Sequence, residues 1–267
     1  MGAVTSHRLR WGALAWLLTL QFFVVETVVQ LRGDGHSRAD DVISDLGETG
    51  WPGHQAMNAS FVVQAALILG GALLLLPALR GAAGRAAGYL FGVAAVGTLL
   101  VGVFPADRSD TWHGVGAVLY LVGSAVGLIA LAYAVRPRSE LLGTALVVLG
   151  LVGAAATTFF LTEVDVLARG ATERAAAYVL PIGLALAGAA LGRAGAGDPG
   201  DAEAPTRRER RARERAEVAA RARERDEALE AAARRTPDRT AAPTAADAGP
   251  ADEFDPDDPW TSARRSD

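Results

Sequence analysis

The chain has 267 residues, 51% of them hydrophobic, no cysteine, and a formal net charge of −4. The lack of cysteine excludes disulfides, thiol catalysis and cysteine-based metal sites, and the modest acidic charge argues against nucleic acid as a partner. The averages conceal two regions: Met1 to Arg193 carries the apolar runs with 12 acids and 12 arginines, whereas Ala194 to Asp267 carries 18 acids and 14 arginines.

A helix needs roughly 20 apolar residues to cross a bilayer. The first run of that kind is Trp11–Leu31. It is longer than the roughly 7–15-residue apolar core of a signal peptide and lacks a small-residue cleavage site, so it reads as a retained span. Glu26 and Gln30 lie one turn apart near its end. An ionisable group inside a span faces the bundle interior or a wet cavity by default, which makes Glu26 the most informative residue within the spans.

The link from Arg32 to Asn58 is the longest between spans and contains "DDVISDLGETGWPGHQAMN". Here Ser44 or Asp45 would cap a short interfacial helix, and Gly47 would close it. Span 2 is Ala59–Leu79, with Gln64 near its start, and span 3 is Ala86–Phe104. In "VGVFPADRSDTWHG", Pro105 stops span 3, Asp107 or Asp110 would cap the next helix, and His113 falls in its first turn. Span 4 is Gly114–Val135 and span 5 is Leu141–Thr162, which ends on Thr157, Thr158 and Thr162. "ARGATERAAAY" then places Glu173 and Arg174 at the boundary of span 6, Ala175–Gly192. The fold class is all-α: a polytopic membrane protein with a six-helix transmembrane bundle, whose short links make sequential helices antiparallel neighbours.

Arginine placement sets the orientation. Arg8, Arg10, Arg80, Arg85, Arg136, Arg138 and the arginine-rich tail share one side, while Arg32, Arg38, Arg108, Arg169 and Arg174 on the other are diluted by acids. The expectation is a multi-pass protein of the cell membrane with both termini cytoplasmic and the long first link outside. On that side Glu26, Ser44, Asp45, Asn58, Asp107, His113, Glu173 and Arg174 gather near helix ends as a candidate vestibule, roofed by the first link. The plainer reading of each is a solvated loop residue or a helix cap. Glu26 is expected to be protonated or paired there, with Arg174 or His113 as the cation, because an unpaired carboxylate at that depth is costly.

No metal or other cofactor is expected. His36, His54 and His113 share a side, but no pair has the i, i+4 spacing of a zinc helix, and no span carries a mid-bilayer histidine for haem. No G-x-S-x-G or H-E-x-x-H motif marks a catalytic residue, so none is assigned. Three readings stay open. The first is a non-enzymatic protein whose vestibule takes a lipid headgroup or small polar ligand. The second is a membrane-embedded lipid-modifying enzyme using His113 and the acids. The third is a small proton-linked transporter using Glu26, against which stand the few polar groups in the inner halves of the spans and the lack of an inverted repeat.

"ISDLG" with Pro52, Asn58 opening span 2, "GVFPAD" followed by His113, and "TER" before span 6 together resemble the prokaryotic six-span membrane protein family catalogued as domain of unknown function 998. The likeness runs from about Trp11 to Arg193 and rests on Ser44, Asp45, Gly47, Asn58, Pro105, Asp107, His113 and Arg174. It implies a membrane protein without an assigned activity and gives none of these residues a role. The layout is more loosely similar to that of eukaryotic six-span proteins of lipid remodelling and autophagy.

In the tail, "TRRERRARERAEVAARARERDEALEAAARR" is built of good helix formers with many Glu–Arg pairs three or four apart. Val218 and Leu229 are its only larger apolar residues, so no heptad seam forms. Residues 194–235 are expected as a solvated cytoplasmic helix. Residues 236–267, rich in Pro, Ala and Asp, are expected as a disordered acidic tail, where "DEFDPDDPW" is a candidate docking peptide for a cytoplasmic protein partner.

Overall fold

The computed structural model describes residues 6–79, 81–164, 166–194 and 207–235. Every apolar run is helical, since a backbone in lipid has no partner for its N–H and C=O groups except itself. Six helical stretches are long and apolar enough to cross a membrane: His7–Gln30, His54–Leu75, Ala82–Val103, Asp110–Val135, Glu140–Leu161 and Arg169–Arg193. The first is α1 (Ser6–Leu18) continued by α2 (Gln21–Gln30), and the last is α7 (Arg169–Ala177) continued by α8 (Val179–Ala194). Between them lie α3 (His54–Leu75), α4 (Ala82–Val103), α5 (Asp110–Val135) and α6 (Glu140–Leu161).

Several helices start earlier than the apolar runs imply. Helical hydrogen bonding continues through a polar first turn until something breaks it. Gly81 (φ 100°) does so before α4, a conformation that suits glycine. Phe104 leaves the helical region just ahead of Pro105 at the other end, as residues before proline tend to.

Each span packs on the next, and the last returns to the first through α8 against α1, closing a ring. Small residues bring the backbones close. A Cβ on Gly116 would lie 2.7 Å from the Gly97 carbonyl oxygen, so α4 and α5 meet there with nothing between them. The core has two parts. Toward the end that holds the short second and fourth links, Trp16, Ile68, Leu75, Phe91, Leu128, Leu146 and Leu184 form a fully buried apolar cluster. Toward the other end, Phe22, Val29, Met57, Phe61, Val101 and Leu121 pack under Ile43 and Leu46 of the first link. The first link thus folds down as a lid, and that end is called the lid end below.

Side-chain hydroxyls bond carbonyls at both broken spans. Pro181 has no N–H, which frees the carbonyl of Ala177; the Tyr120 hydroxyl of α5 donates to it at 2.8 Å. The Pro181 carbonyl accepts from Thr19 Oγ1 at 3.3 Å, and the same hydroxyl bonds Trp16 O at 2.6 Å, at the break between α1 and α2.

By itself, the tail contributes α9, Arg207–Arg235. It is polar all round, with an i, i+4 pair between Glu230 and Arg234 at 3.4 Å. Residues 195–206 of the expected cytoplasmic helix, the acidic segment 236–267, Arg80 and Asp165 lie outside the described residues.

Candidate functional site

Glu26 sits on the buried face of α2, completely shielded from solvent. It is paired: Arg174 Nε donates to Glu26 Oε1 at 2.9 Å. The Tyr178 hydroxyl, one turn beyond Arg174, donates to Oε2 at 2.6 Å. Arg38 closes the group from the lid, its Nη2 3.4 Å from Glu26 Oε1 and donating to the Tyr178 oxygen at 2.6 Å. Arg174 is 6% exposed, so it is a buried cation and not a side chain reaching to the interface. Its Nη1 donates to the carbonyls of Arg38 (2.8 Å), Asp41 (2.7 Å) and Gly170 (3.2 Å).

The last guanidinium nitrogen of Arg174 faces His36 Nε2 at 3.1 Å. A guanidinium can only donate, so His36 accepts through Nε2 and carries its proton on Nδ1, 4.0 Å from Asp41 Oδ2. Burial, then the neighbouring Arg174 charge, lower the His36 pKa, against the opposing pull of Asp41, Asp45 and Glu26. The neutral ring that Arg174 requires is therefore the favoured one.

Further contacts fasten the lid. Glu173 Oε2 accepts the Ile43 N–H. Gly170 and Ala171 N–H groups donate to Asp40 and Ala39 carbonyls at 3.2 and 2.8 Å, leaving at Gly170 no room for a side chain against Asp41. Asn58 Nδ2 donates to the Gly47 carbonyl at 2.8 Å. Asp107 accepts from the Thr49 N–H at 3.0 Å and from its hydroxyl, and these bonds hold its pKa below the usual carboxylate range.

Under the lid is a cavity of about 40 Å³, lined among others by Ser44, Gln64, Thr98, His113, Tyr120 and Glu173. That is room for roughly three water-sized groups. Gln64, 1% exposed, has its Oε1 bonded by Gln21 at 3.2 Å, while its Nε2 has no partner. His113 Nδ1 lies 2.9 Å from the Phe104 carbonyl.

The eight residues singled out in the sequence thus separate. Glu26 and Arg174 form the ionic cluster. Ser44, His113 and Glu173 line the cavity. Asn58 and Asp107 fasten the lid, and Asp107 is exposed on the rim, not a cavity wall. Asp45 lies within the 3-10 turn Ile43–Gly47, where burial raises its pKa. Neither expected cap forms: the N-cap positions are Val42 for the 3-10 turn and Ser109 for α5, both without a side-chain cap, and Asp107 bonds Thr49 instead. Arg38, His36, Tyr178, Tyr120 and Thr98 join the site from outside the expected vestibule set. The i, i+4 spacing of Arg174 and Tyr178 was the available signal for one of them. Among the described residues, no group of three or more His, Asp or Glu side chains is placed to hold a metal ion.

No curated protein and no solved structure matches the chain. Residues 16–192 match the family described as "Protein of unknown function (DUF998)". That match covers most of the chain, so the chain belongs to this family, and its six apolar helices make it an integral membrane protein.

Proposed function

We propose that this protein binds a lipid headgroup or small polar ligand in the lidded cavity, and that the lid end faces the extracytoplasmic side of the cell membrane. The observation that carries the reading is Gln64 Nε2, a buried donor without a partner beside a cavity that His113, Ser44 and Glu173 also line. Buried polar atoms are nearly always satisfied, and an acceptor on a ligand in the cavity would satisfy this one. The sidedness rests on the arginine distribution. A hydrolytic reading is weaker, since Ser44 and His113 line the cavity without a hydrogen bond between them. A transport reading is weaker because the Trp16–Phe91–Leu128 cluster closes the bundle beyond the cavity.

The chain has no native cysteine, so Ser44→Cys supplies a single thiol at the cavity. A membrane-impermeant maleimide should label it from the extracytoplasmic side of cells. In detergent, labelling of delipidated protein should slow when a membrane lipid extract is added. Labelling only from the cytoplasmic side, or a rate indifferent to lipid, would overturn the proposal.

A further inference from the structure

The hydrogen bonds already made around the cavity fix what each lining group has left to offer. A carbonyl only accepts, so His113 Nδ1 carries the proton toward Phe104 O, which in the neutral ring leaves Nε2 as an acceptor. Tyr120 gives its proton to Ala177 O, and Thr98 gives its own to Ala94 O, both at 2.8 Å, leaving two oxygens that accept. Glu173 takes the Ile43 N–H through Oε2, leaving Oε1. Against these four acceptors stand the Gln64 amide and the Ser44 hydroxyl as donors. The cavity is acceptor-rich, and its occupant must bring protons.

Charge and size narrow the class. A carboxylate at membrane depth calls for a counter-charge, and Arg174, its sequence neighbour, is already committed to Glu26. Rings of Phe22, Phe61 and Tyr120 line the same space, a setting that favours a cation. At about 40 Å³ the cavity is small, which suits an unsubstituted ammonium better than a trimethylated one.

The geometry points to a primary ammonium group on a short carbon stem with an oxygen, as in ethanolamine, as the ligand of this cavity. Its N–H groups meet Glu173 Oε1, His113 Nε2 and the Tyr120 or Thr98 oxygen, and its own oxygen takes the Gln64 amide proton. This rests on the cavity being a ligand site and names what fills it. The same chemistry is carried by a free amino alcohol and by the headgroup of phosphatidylethanolamine.

The test uses the full chain in two arms. In detergent, melting temperature is followed with ethanolammonium chloride, choline chloride and ethylene glycol at matched ionic strength. In nanodiscs of equal phosphatidylethanolamine and phosphatidylcholine, retained lipid is counted by native mass spectrometry after detergent extraction. A rise in melting temperature with ethanolammonium alone assigns a free amine. Retention of phosphatidylethanolamine over phosphatidylcholine by about tenfold or more, the worth of one charge-assisted hydrogen bond, assigns the lipid. Both results together support the shared site.

Glu173→Gln keeps an acceptor for Ile43 but removes the charge, and should lose the preference. Ala117→Leu fills the cavity without removing a polar group and should do the same, which covers the case in which the first variant does not fold. Choline or ethylene glycol matching ethanolammonium would overturn the ammonium assignment while leaving a polar-ligand site standing. So would a preference that survives Ala117→Leu. Neither a melting shift nor retained lipid would overturn both.

Discussion

The two ends of this bundle are held together by different forces. At the far end, Trp16, Phe91, Leu128 and their neighbours interlock around close-packed small residues. Lipid tails are as apolar as leucine, so helices gain there by packing alone. At the lid end, Glu26, Arg174, Tyr178, Arg38 and His36 form a continuous hydrogen-bonded cluster that joins the first span, the first link and the last span. Bonds of this kind are strong in a low dielectric, but each member depends on the others being present. One end should tolerate changes of shape in proportion to volume; the other should fail when a single charge is removed.

The largest expected effect is Arg174→Ala, which leaves the buried Glu26 carboxylate only Arg38 and Tyr178 and strands the carbonyls of Arg38, Asp41 and Gly170. Breaking a buried pair this way costs on the order of 3–5 kcal/mol in soluble proteins. Detergent melting should show Glu26→Gln to be milder, since its amide still accepts from Arg174, and the double mutant should be less damaged than the sum. Strict additivity would break the account of a coupled cluster.

Trp16→Ala tests the opposite end. It deletes a fully buried indole and should cost a comparable amount, about 3–5 kcal/mol by analogy with soluble cores. The distinguishing result is additivity with Arg174→Ala, because distant sites without shared partners act independently. Coupling between the two would show that the ends are not separate.

Tyr178→Phe removes one hydroxyl from between Arg38 and Glu26 and should lower stability by about 1.5–3 kcal/mol, the worth of a hydrogen bond to a charged group.

Acid sharpens the contrast further. The folded-state pKa of His36 is lowered from 6.5, so below pH 6.5 the unfolded chain takes up the proton first. The His36 contribution is therefore complete above pH 6.5 and is lost as pH falls toward its folded value. Asp45 and Glu48, raised by burial, give the opposite slope, so the measurement is the difference between wild type and His36→Gln. The variant should lose less stability between pH 7.5 and 5.5, and equal losses would exclude His36 from the cluster.

The smallest expected effect is truncation after Gly200. The described tail helix is charged all round and offers no apolar stripe, so melting should be unchanged. A large loss would show that the tail supports the bundle.

What was legible in the sequence follows the same division. The spans could be read because each is an unbroken run of apolar residues. Glu26 could be read because a carboxylate in such a run is rare, and Arg174 because it is a cation at the edge of a span. Tyr178 offered only its i, i+4 spacing from Arg174, since tyrosine at a membrane boundary is ordinary. Arg38 and His36 lie in a loop, where charge is the rule. Asp107 was misplaced because its partner, Thr49, comes from a link 58 residues away, a pairing no local pattern encodes. The span breaks follow from Pro181 and Thr19, but only the fold shows that Tyr120 takes the carbonyl Pro181 frees.

The pairing of Glu26 with a cation 148 residues later also sets a timetable for synthesis. At about 5–20 residues per second, the first span waits on the order of 10 s before Arg174 is made. Arg38 is ready within 12 residues and still lies 3.4 Å from the carboxylate in the finished protein, at 42% exposure. It is the one guanidinium of the cluster positioned to hold Glu26 while the remaining five spans are inserted, and it becomes the junior partner once the ring closes.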